Sequence, residues 1–581
     1  MKKRKEILSQ PSMKLFVMLC GYFLTSYILY TACQMVRFQH CLMFVQIVSL
    51  SLPMIVYFLT LKKETSKKTS IILLSTYLIL LVVLPFIYTR TYDLTIDGNS
   101  YHKTAIAFIK NGWNPLYEKS TEFQKKNPDV VPIDKKTKTD LWIEHYPKAT
   151  WISSAIMYDM TGSIESGKSI TLIFSIMLFI ISYNCLQMIL SRGWAVAFSI
   201  LVVLNPITLS QIFTYYVDSI MGICFAMELL LLFLVNPMEK QNKFLWIAIA
   251  GVCTIFTNLK YTGLLCSGVI AAVFYFYWLL KYRKEKQFWL RFRNITFHFT
   301  VVFTIAIFFV GASSYVKNTI DHRNPLYPII GEDKVDIITT MQPKKFNQLS
   351  MIEKFGWSLF SKTENVTYTS GDPEVKWPIK VYRSEIEELV APDVRIAGFG
   401  PLFALGVIVS MIVFIISLII FIKHEKQNIK YITLPLIAII TSMILVGENW
   451  WARYVPQFYL LIVGTMILAV YLSKYWKHKR YPQGAAIVIA AIMILNASCF
   501  SYAMKSSISS FIAIRKDLNE MYYMDNLKLK LGTEGLYGYY YNLKDRNIQY
   551  QVVEKIEQDE IRYMYSWRFE VEKNETVSKT N

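Results

Sequence analysis

About thirteen apolar stretches, each near the length of a bilayer-crossing helix, constrain what this chain can fold into more than any other feature. A hydrocarbon core of roughly 30 Å needs about 20 apolar residues in helical form. The stretches fall at 13–32, 41–61, 70–88, 166–189, 195–213, 219–235, 244–259, 261–280, 296–313, 401–422, 431–447, 456–473 and 484–502. The composition agrees: 581 residues, 54% of them hydrophobic, with a mean hydropathy of +0.32, describe a polytopic all-α membrane protein and not a soluble enzyme.

The formal net charge of +20 would suit a nucleic-acid binder, but its distribution does not. Basic residues gather in short connectors: Lys2 to Lys5; Lys62, Lys63, Lys67 and Lys68; Lys281 to Arg293; Lys423, Lys426 and Lys430; Lys474 to Arg480. Every one of these connectors lies on the same side of the span list, and excess positive charge marks the cytoplasmic side. The expected partner is therefore the lipid bilayer, with no nucleic acid. The N-terminus is expected inside. An odd span count places the C-terminus outside, together with the loops 89–165 and 314–400.

The chain thus divides into N-terminal spans (1–88), a first outer loop (89–165), a central bundle (166–313), a second outer loop (314–400), C-terminal spans (401–502) and an outer tail (503–581). Pro and Gly in the second loop, as in Asn324 to Gly331, predict a folded cap with defined turns. In the tail, Gly535–Asn542 and Asn547–Val553 read as two strands of a small α/β segment. The eight cysteines lie in or near apolar spans without metal-ligand spacing. MKKRKE precedes a full-length span with no convincing small-residue cleavage site, so no cleavable signal peptide is expected. No internal repeat is visible, and no phosphate loop, HExxH motif or nucleotide-binding fingerprint occurs.

The first outer loop carries the most chemistry. Asp93 and Asp97 follow an apolar span by a few residues, which holds them near the membrane–water boundary. A carboxylate fixed there can act as general base on a hydroxyl beside a lipid-borne substrate. The plainer reading is a solvated connector. Tyr101, Ala105, Phe108 and Ile109 recur at helical spacing, with Asn99 or Ser100 as cap and Asn111-Gly112 as stop. This predicts a short interfacial helix with Asp97 ahead of its N-terminus.

Further polar groups stand at span ends on the same face: Asp218, Lys260, Glu448 and Arg453. Ionisable groups at membrane depth are paired, solvated or functional. Taken singly, each also reads as a helix-end residue reaching the headgroups. Lys260 and Arg453 could hold a lipid phosphate, Arg453 through a bidentate fork. Asn449, Trp450 and Trp451 read as belt residues or as a surface for a sugar. His102, His145 and Glu144 are second-rank candidates for orienting a phosphate or sharing a proton. Asn365-Val366-Thr367 matches the glycosylation sequon.

The order of these features resembles the GT-C superfamily of polytopic glycosyltransferases, nearest to its protein O-mannosyltransferase and aminoarabinose-transferase types. The resemblance rests on Asp97-Gly98-Asn99-Ser100-Tyr101-His102, then Gly112-Trp113-Asn114-Pro115-Leu116-Tyr117. Tyr146-Pro147-Lys148 with Trp151, Met160-Thr161-Gly162 with Glu165, and finally Asp218 and Lys260 extend it. It covers roughly 85–270, and 430–460 loosely. Asp97-Gly98 stands where the family usually has an acidic pair, and two extra spans precede the loop. The resemblance implies transfer of a sugar, with inversion, from a polyprenyl-phosphate-linked donor to a glycan, lipid or protein acceptor on the outer face. Asp97 would be the base, with Asp93 as its alternate. Lys260 or Arg453 would hold the leaving phosphate. The cofactor is left open: many members need no metal and some use one. A bacterial cell membrane is the expected location. Two rival readings are a flippase or transporter of lipid-linked saccharide, and an envelope polysaccharide polymerase.

Overall fold

The computed structural model describes residues 2–62, 65–130, 139–533, 535–557 and 561–572; Lys63 of the second basic connector lies outside them. The protein is mostly helical, at 69%. Nine of its described helices are long and apolar enough to cross a membrane, from Pro11–Met35 to Arg480–Tyr522, as a multi-pass membrane protein requires. The other apolar stretches form shorter helices: Arg192–Val203, Asp218–Leu234, Lys243–Thr257 and Lys430–Val446.

The stretch at 195–213, expected as one span, is broken in two. Arg192–Val203 ends before Asn205-Pro206, and Pro206–Gln211 begins a separate helix. Proline at the first helical position lacks the N–H an incoming helix would need, so the chain restarts there. Asn205 caps the restart by accepting from Ile207 N at 3.1 Å, and its amide donates to Pro456 O at 2.9 Å. The break aims Gln211 at the start of the Asp218–Leu234 helix, where its Oε1 accepts from Ser219 N at 2.9 Å.

The first outer loop also departs from expectation. A helix runs over 96–110, beginning with a wider π turn at Gly98–His102 and ending at Asn111, with Gly112 at φ +91°. Thr95 caps it, its hydroxyl accepting from Gly98 N at 3.0 Å. The cap is therefore four or five residues earlier than Asn99 or Ser100, and Asp97 lies in the first turn instead of ahead of it. Nor does this helix lie on a surface, because Lys103 to Ile109 are all buried. It packs on Ala149–Thr161, the helix that returns the chain to the bundle.

The longest helix, Arg480–Tyr522, has 43 residues, about 65 Å at the usual rise, twice a hydrocarbon thickness. It continues past the expected span 484–502 into a small sheet of β1 (Lys528–Leu531), β2 (Gln551–Val552), β3 (Ile561–Met564) and β4 (Phe569–Glu572), ordered β2-β1-β4-β3. Only β1 and β2 run parallel. Gly535–Asn542, expected as a strand, is instead helical from Tyr537. Tyr539, Tyr540 and Tyr541 are buried against the sheet and the first loop, and Gly538 sits so close to Asn99 that a side chain there would collide with its backbone. One apolar core joins Phe511, Leu518 and Met521 of the long helix, Leu529 and Phe569 of the sheet, and Tyr92 of the first loop.

Candidate functional site

Five charged side chains from five separated parts of the chain meet at one end of the bundle. Arg453 is the hub. It rides on a tight turn, Ala452–Tyr454, between the helices Lys430–Val446 and Tyr459–Leu472. Its Nε donates to Asp218 Oδ2 at 2.8 Å and its Nη2 to Asp97 Oδ2 at 3.1 Å, while Nη1 lies 3.6 Å from Asp393 Oδ2. Lys260, between two helices in extended conformation, reaches Asp218 Oδ1 at 2.9 Å. Asp218 is thus held from both sides, and Gln211 Nε2 adds a third contact at 3.3 Å. Three carboxylates face two cations, so the group carries excess negative charge.

Burial separates the roles of the acids. Asp218 is 2% exposed, whereas Asp97 and Asp393 keep 27% and 24% of their side-chain surface. The exposed pair can meet a substrate; the buried one fixes Arg453 and Lys260. Aromatic faces complete the setting. The Arg453 guanidinium lies 4.2 Å from the Tyr216 ring centre and 5.2 Å from that of Trp451, and Lys260 Nζ lies 4.5 Å from Tyr454. Such faces attract cations and hold the guanidinium plane in place. Tyr216 also donates its hydroxyl to Asp393 Oδ2 at 3.2 Å.

Beside this cluster lies a cavity of about 10 Å³ lined by Tyr101, His102, Tyr146, Trp151, Lys260 and Arg453. That is room for about one water molecule. Trp151 Nε1 donates to His102 Nδ1 at 2.7 Å, which leaves the imidazole proton on Nε2. Burial, and next the Arg453 charge, push His102 down to about 3, so the ring is neutral at physiological pH.

The remaining expected residues do other work. Asp93, expected as alternate base, is fully buried. Its Oδ2 accepts from Tyr215 N at 2.6 Å and Oδ1 from Thr95 N at 2.8 Å. With both oxygens on backbone donors, Asp93 holds the first loop against Tyr215. Glu144 accepts from Ser120 N and Oγ at 2.9 Å each, tying two loop helices together. His145 pairs with Asn318 at 2.7 Å and sits against His322 and Tyr327. Neither touches the cluster. Glu448 accepts from Trp450 Nε1 at 2.6 Å.

Asp393, Tyr216 and Gln211 were not singled out from sequence. Asp393 follows Pro392 in an acid-rich loop, where no local pattern distinguishes it. Gln211 gains its position only through the break at Pro206. Among the described residues, no group of three or more His, Cys, Asp or Glu is arranged to hold a metal ion. Arg453 takes the central place among the three aspartates.

A second, buried network ties the first loop to the C-terminal domain. Glu165 accepts from Lys103 at 2.7 Å and Asn542 at 2.8 Å, and forms an ion pair with Lys168 at 2.6 Å. Asp545 accepts from Ile164 N at 2.7 Å and from the Tyr158 hydroxyl. Burial pushes the Asp545 carboxyl up to about 7. Its ordinary value is near 4, so the folded state favours the neutral acid. The contribution of Asp545 to docking is therefore full below about pH 4 and falls as pH rises toward 7. Asp545→Asn imitates the neutral acid. Hydrogen-exchange protection over 537–545 should fall as pH rises from about 4 to about 7 in the parent protein and stay level in the variant; a parallel fall in both would remove Asp545 as the cause.

The sequence matches no protein-family model and no curated protein.

Proposed function

We propose that this protein is a GT-C-like membrane glycosyltransferase that moves a sugar from a polyprenyl-phosphate donor to a cell-envelope acceptor on the outer face. The observation that carries the reading is the single contact network joining a part-exposed aspartate of the first loop to a buried arginine and lysine at the same end of the bundle. In this reading an acceptor O–H attacks the anomeric carbon with inversion. The bond from that carbon to phosphate breaks, Asp97 takes the hydroxyl proton, and the lipid phosphate leaves. Charge builds on the phosphate as the bond breaks, so fixed cations beside it contribute most to rate. Arg453 and Lys260 fill that role.

In the present arrangement Arg453 is engaged by carboxylates, and the adjacent cavity is too small for a sugar. Donor binding in this reading displaces Asp393, whose 3.6 Å contact is the longest of the three, and moves the second loop outward. Assaying transfer of a labelled sugar from a synthetic polyprenyl donor by the purified protein in lipid tests the proposal. Failure with every donor tried, alongside transport of the intact lipid-linked saccharide, would favour the transporter instead.

The proposal includes some thirteen spans, four of them short, with the N-terminus inside and the tail outside. Contacts among the basic connectors support it: Lys474 pairs with Glu425 at 2.9 Å, and Arg291 donates to Met238 O. Cysteine labelling is expected to reach residues 120, 365 and 560 from outside, and 65, 281–293 and 478 only after permeabilisation. Labelling of residue 365 from the inside alone would overturn both the topology and the site.

A further inference from the structure

A larger cavity, of about 400 Å³, lies at the opposite end of the bundle from the charged cluster. It is bounded by the C-terminal ends of the helices Asp218–Leu234 and Tyr261–Tyr282 and the start of Lys430–Val446. Its size falls within the roughly 300–1,000 Å³ of small-ligand sites. Phe233, Phe274 and Leu434 give it an apolar wall, with Phe233 and Phe274 packed at 4.9 Å between ring centres. Tyr277, Tyr282 and Tyr431 line the mouth. Lys430 lines the cavity, its Nζ 5.0 Å from the Tyr431 ring, and Lys281 lies beside two of the lining tyrosines, its Nζ 5.5 Å and 5.2 Å from the rings of Tyr277 and Tyr282. The acid at the rim, Glu239, is engaged by the Asn236 amide at 2.6 Å. Exposed Arg283, Lys284 and Lys286 follow directly on the chain.

We propose that this cavity is a binding site for one anionic phospholipid of the adjacent leaflet. Its phosphate would lie between Lys281 and Lys430, and an acyl chain would run along Phe233 and Leu434. The chemistry on the two sides of the cavity differs in the way the two parts of such a lipid differ. Ammonium groups and tyrosine hydroxyls donate to phosphate oxygens. The apolar wall has no use for a free inorganic anion. Basic pockets between membrane helices, on the side that carries the basic connectors, are suited to anionic headgroups. The site shares no residue with the Arg453 cluster, so it stands or falls separately from the proposed reaction.

The full-length protein, purified in detergent, should retain one phosphatidylglycerol in native mass spectrometry in preference to phosphatidylcholine of the same chains. Lys281→Gln with Lys430→Gln should weaken that binding about 30-fold, from roughly fivefold for each lysine near an anionic headgroup. Equal retention of the two lipids, or undiminished binding by the double variant, would overturn the proposal. Competition by glycerol phosphate as effective as by the whole lipid would show a headgroup site without a lipid, and would overturn it too. A phosphatidylglycerol with a photoreactive acyl chain tests the unaltered protein. It should label peptides containing Phe233 and Tyr277, and labelling confined to other helices would sink the assignment.

Discussion

Asp97→Asn is expected to lower sugar transfer by about 10²-fold or more while leaving the protein folded and able to bind donor. The fold should survive because asparagine keeps an oxygen to accept from Arg453 Nη2, and Asp97 is 27% exposed. What it removes is proton acceptance, and losing a positioned general base lowers turnover by about that factor. Asp93→Asn is the contrasting case. Both Asp93 oxygens accept backbone N–H groups, so an amide nitrogen there would face a donor. Its effect should be seen in yield and thermal unfolding, with activity falling only in proportion to folded protein. A well-folded Asp93→Asn protein with no turnover would give the catalytic role to Asp93. Full activity in Asp97→Asn, with Lys260 and Arg453 still required in cells, would make the transporter the better reading.

Arg453→Lys should weaken donor use about tenfold or more, and Arg453→Ala should also destabilise the bundle. One ammonium group cannot reproduce the two directed N–H bonds to Asp218 and Asp97 together with the ion pair to Asp393. Each charged hydrogen bond lost removes roughly 1.5–3 kcal/mol. Alanine leaves the buried Asp218 with Lys260 as its one remaining cation, and breaking a buried pair costs about 3–5 kcal/mol. Thermal unfolding in detergent and donor titration separate the two effects. Unchanged donor affinity in a folded Arg453→Ala protein would reduce Arg453 to a structural tie.

Residues whose meaning is local were legible in the sequence. Apolar runs of the right length foretold the helices, since composition alone decides whether a segment tolerates lipid. Asp97, Asp218, Lys260 and Arg453 stood out because charge at a span end demands an explanation. What could not be read was pairing across the chain. The Arg453–Asp97 contact spans 356 positions, and nothing near either residue names the other. Asp393 is reached only through the fold of its loop. The surroundings of Asp93 were hidden for a related reason: four residues from Asp97 in sequence, it accepts from the backbone of Tyr215, 122 positions away. The loop helix was expected on the bilayer surface because neither partner that buries it is named locally: the helix Ala149–Thr161, and the tyrosine-rich turn at Tyr537–Tyr539 far downstream.

That distance has a consequence for how the protein is made. Asn542 completes the shell of Glu165 from 377 residues further on, and Arg453 reaches Asp97 from 356. At roughly 5–20 residues per second, a ribosome needs on the order of 20 to 70 s to travel from Asp97 to Arg453. Throughout that interval the first loop has emerged with its buried lysines and acids only partly matched. In that state it is the segment most open to quality-control proteases. A nascent chain interrupted before the C-terminal domain should therefore be degraded from its first loop, well ahead of the spans already inserted around it.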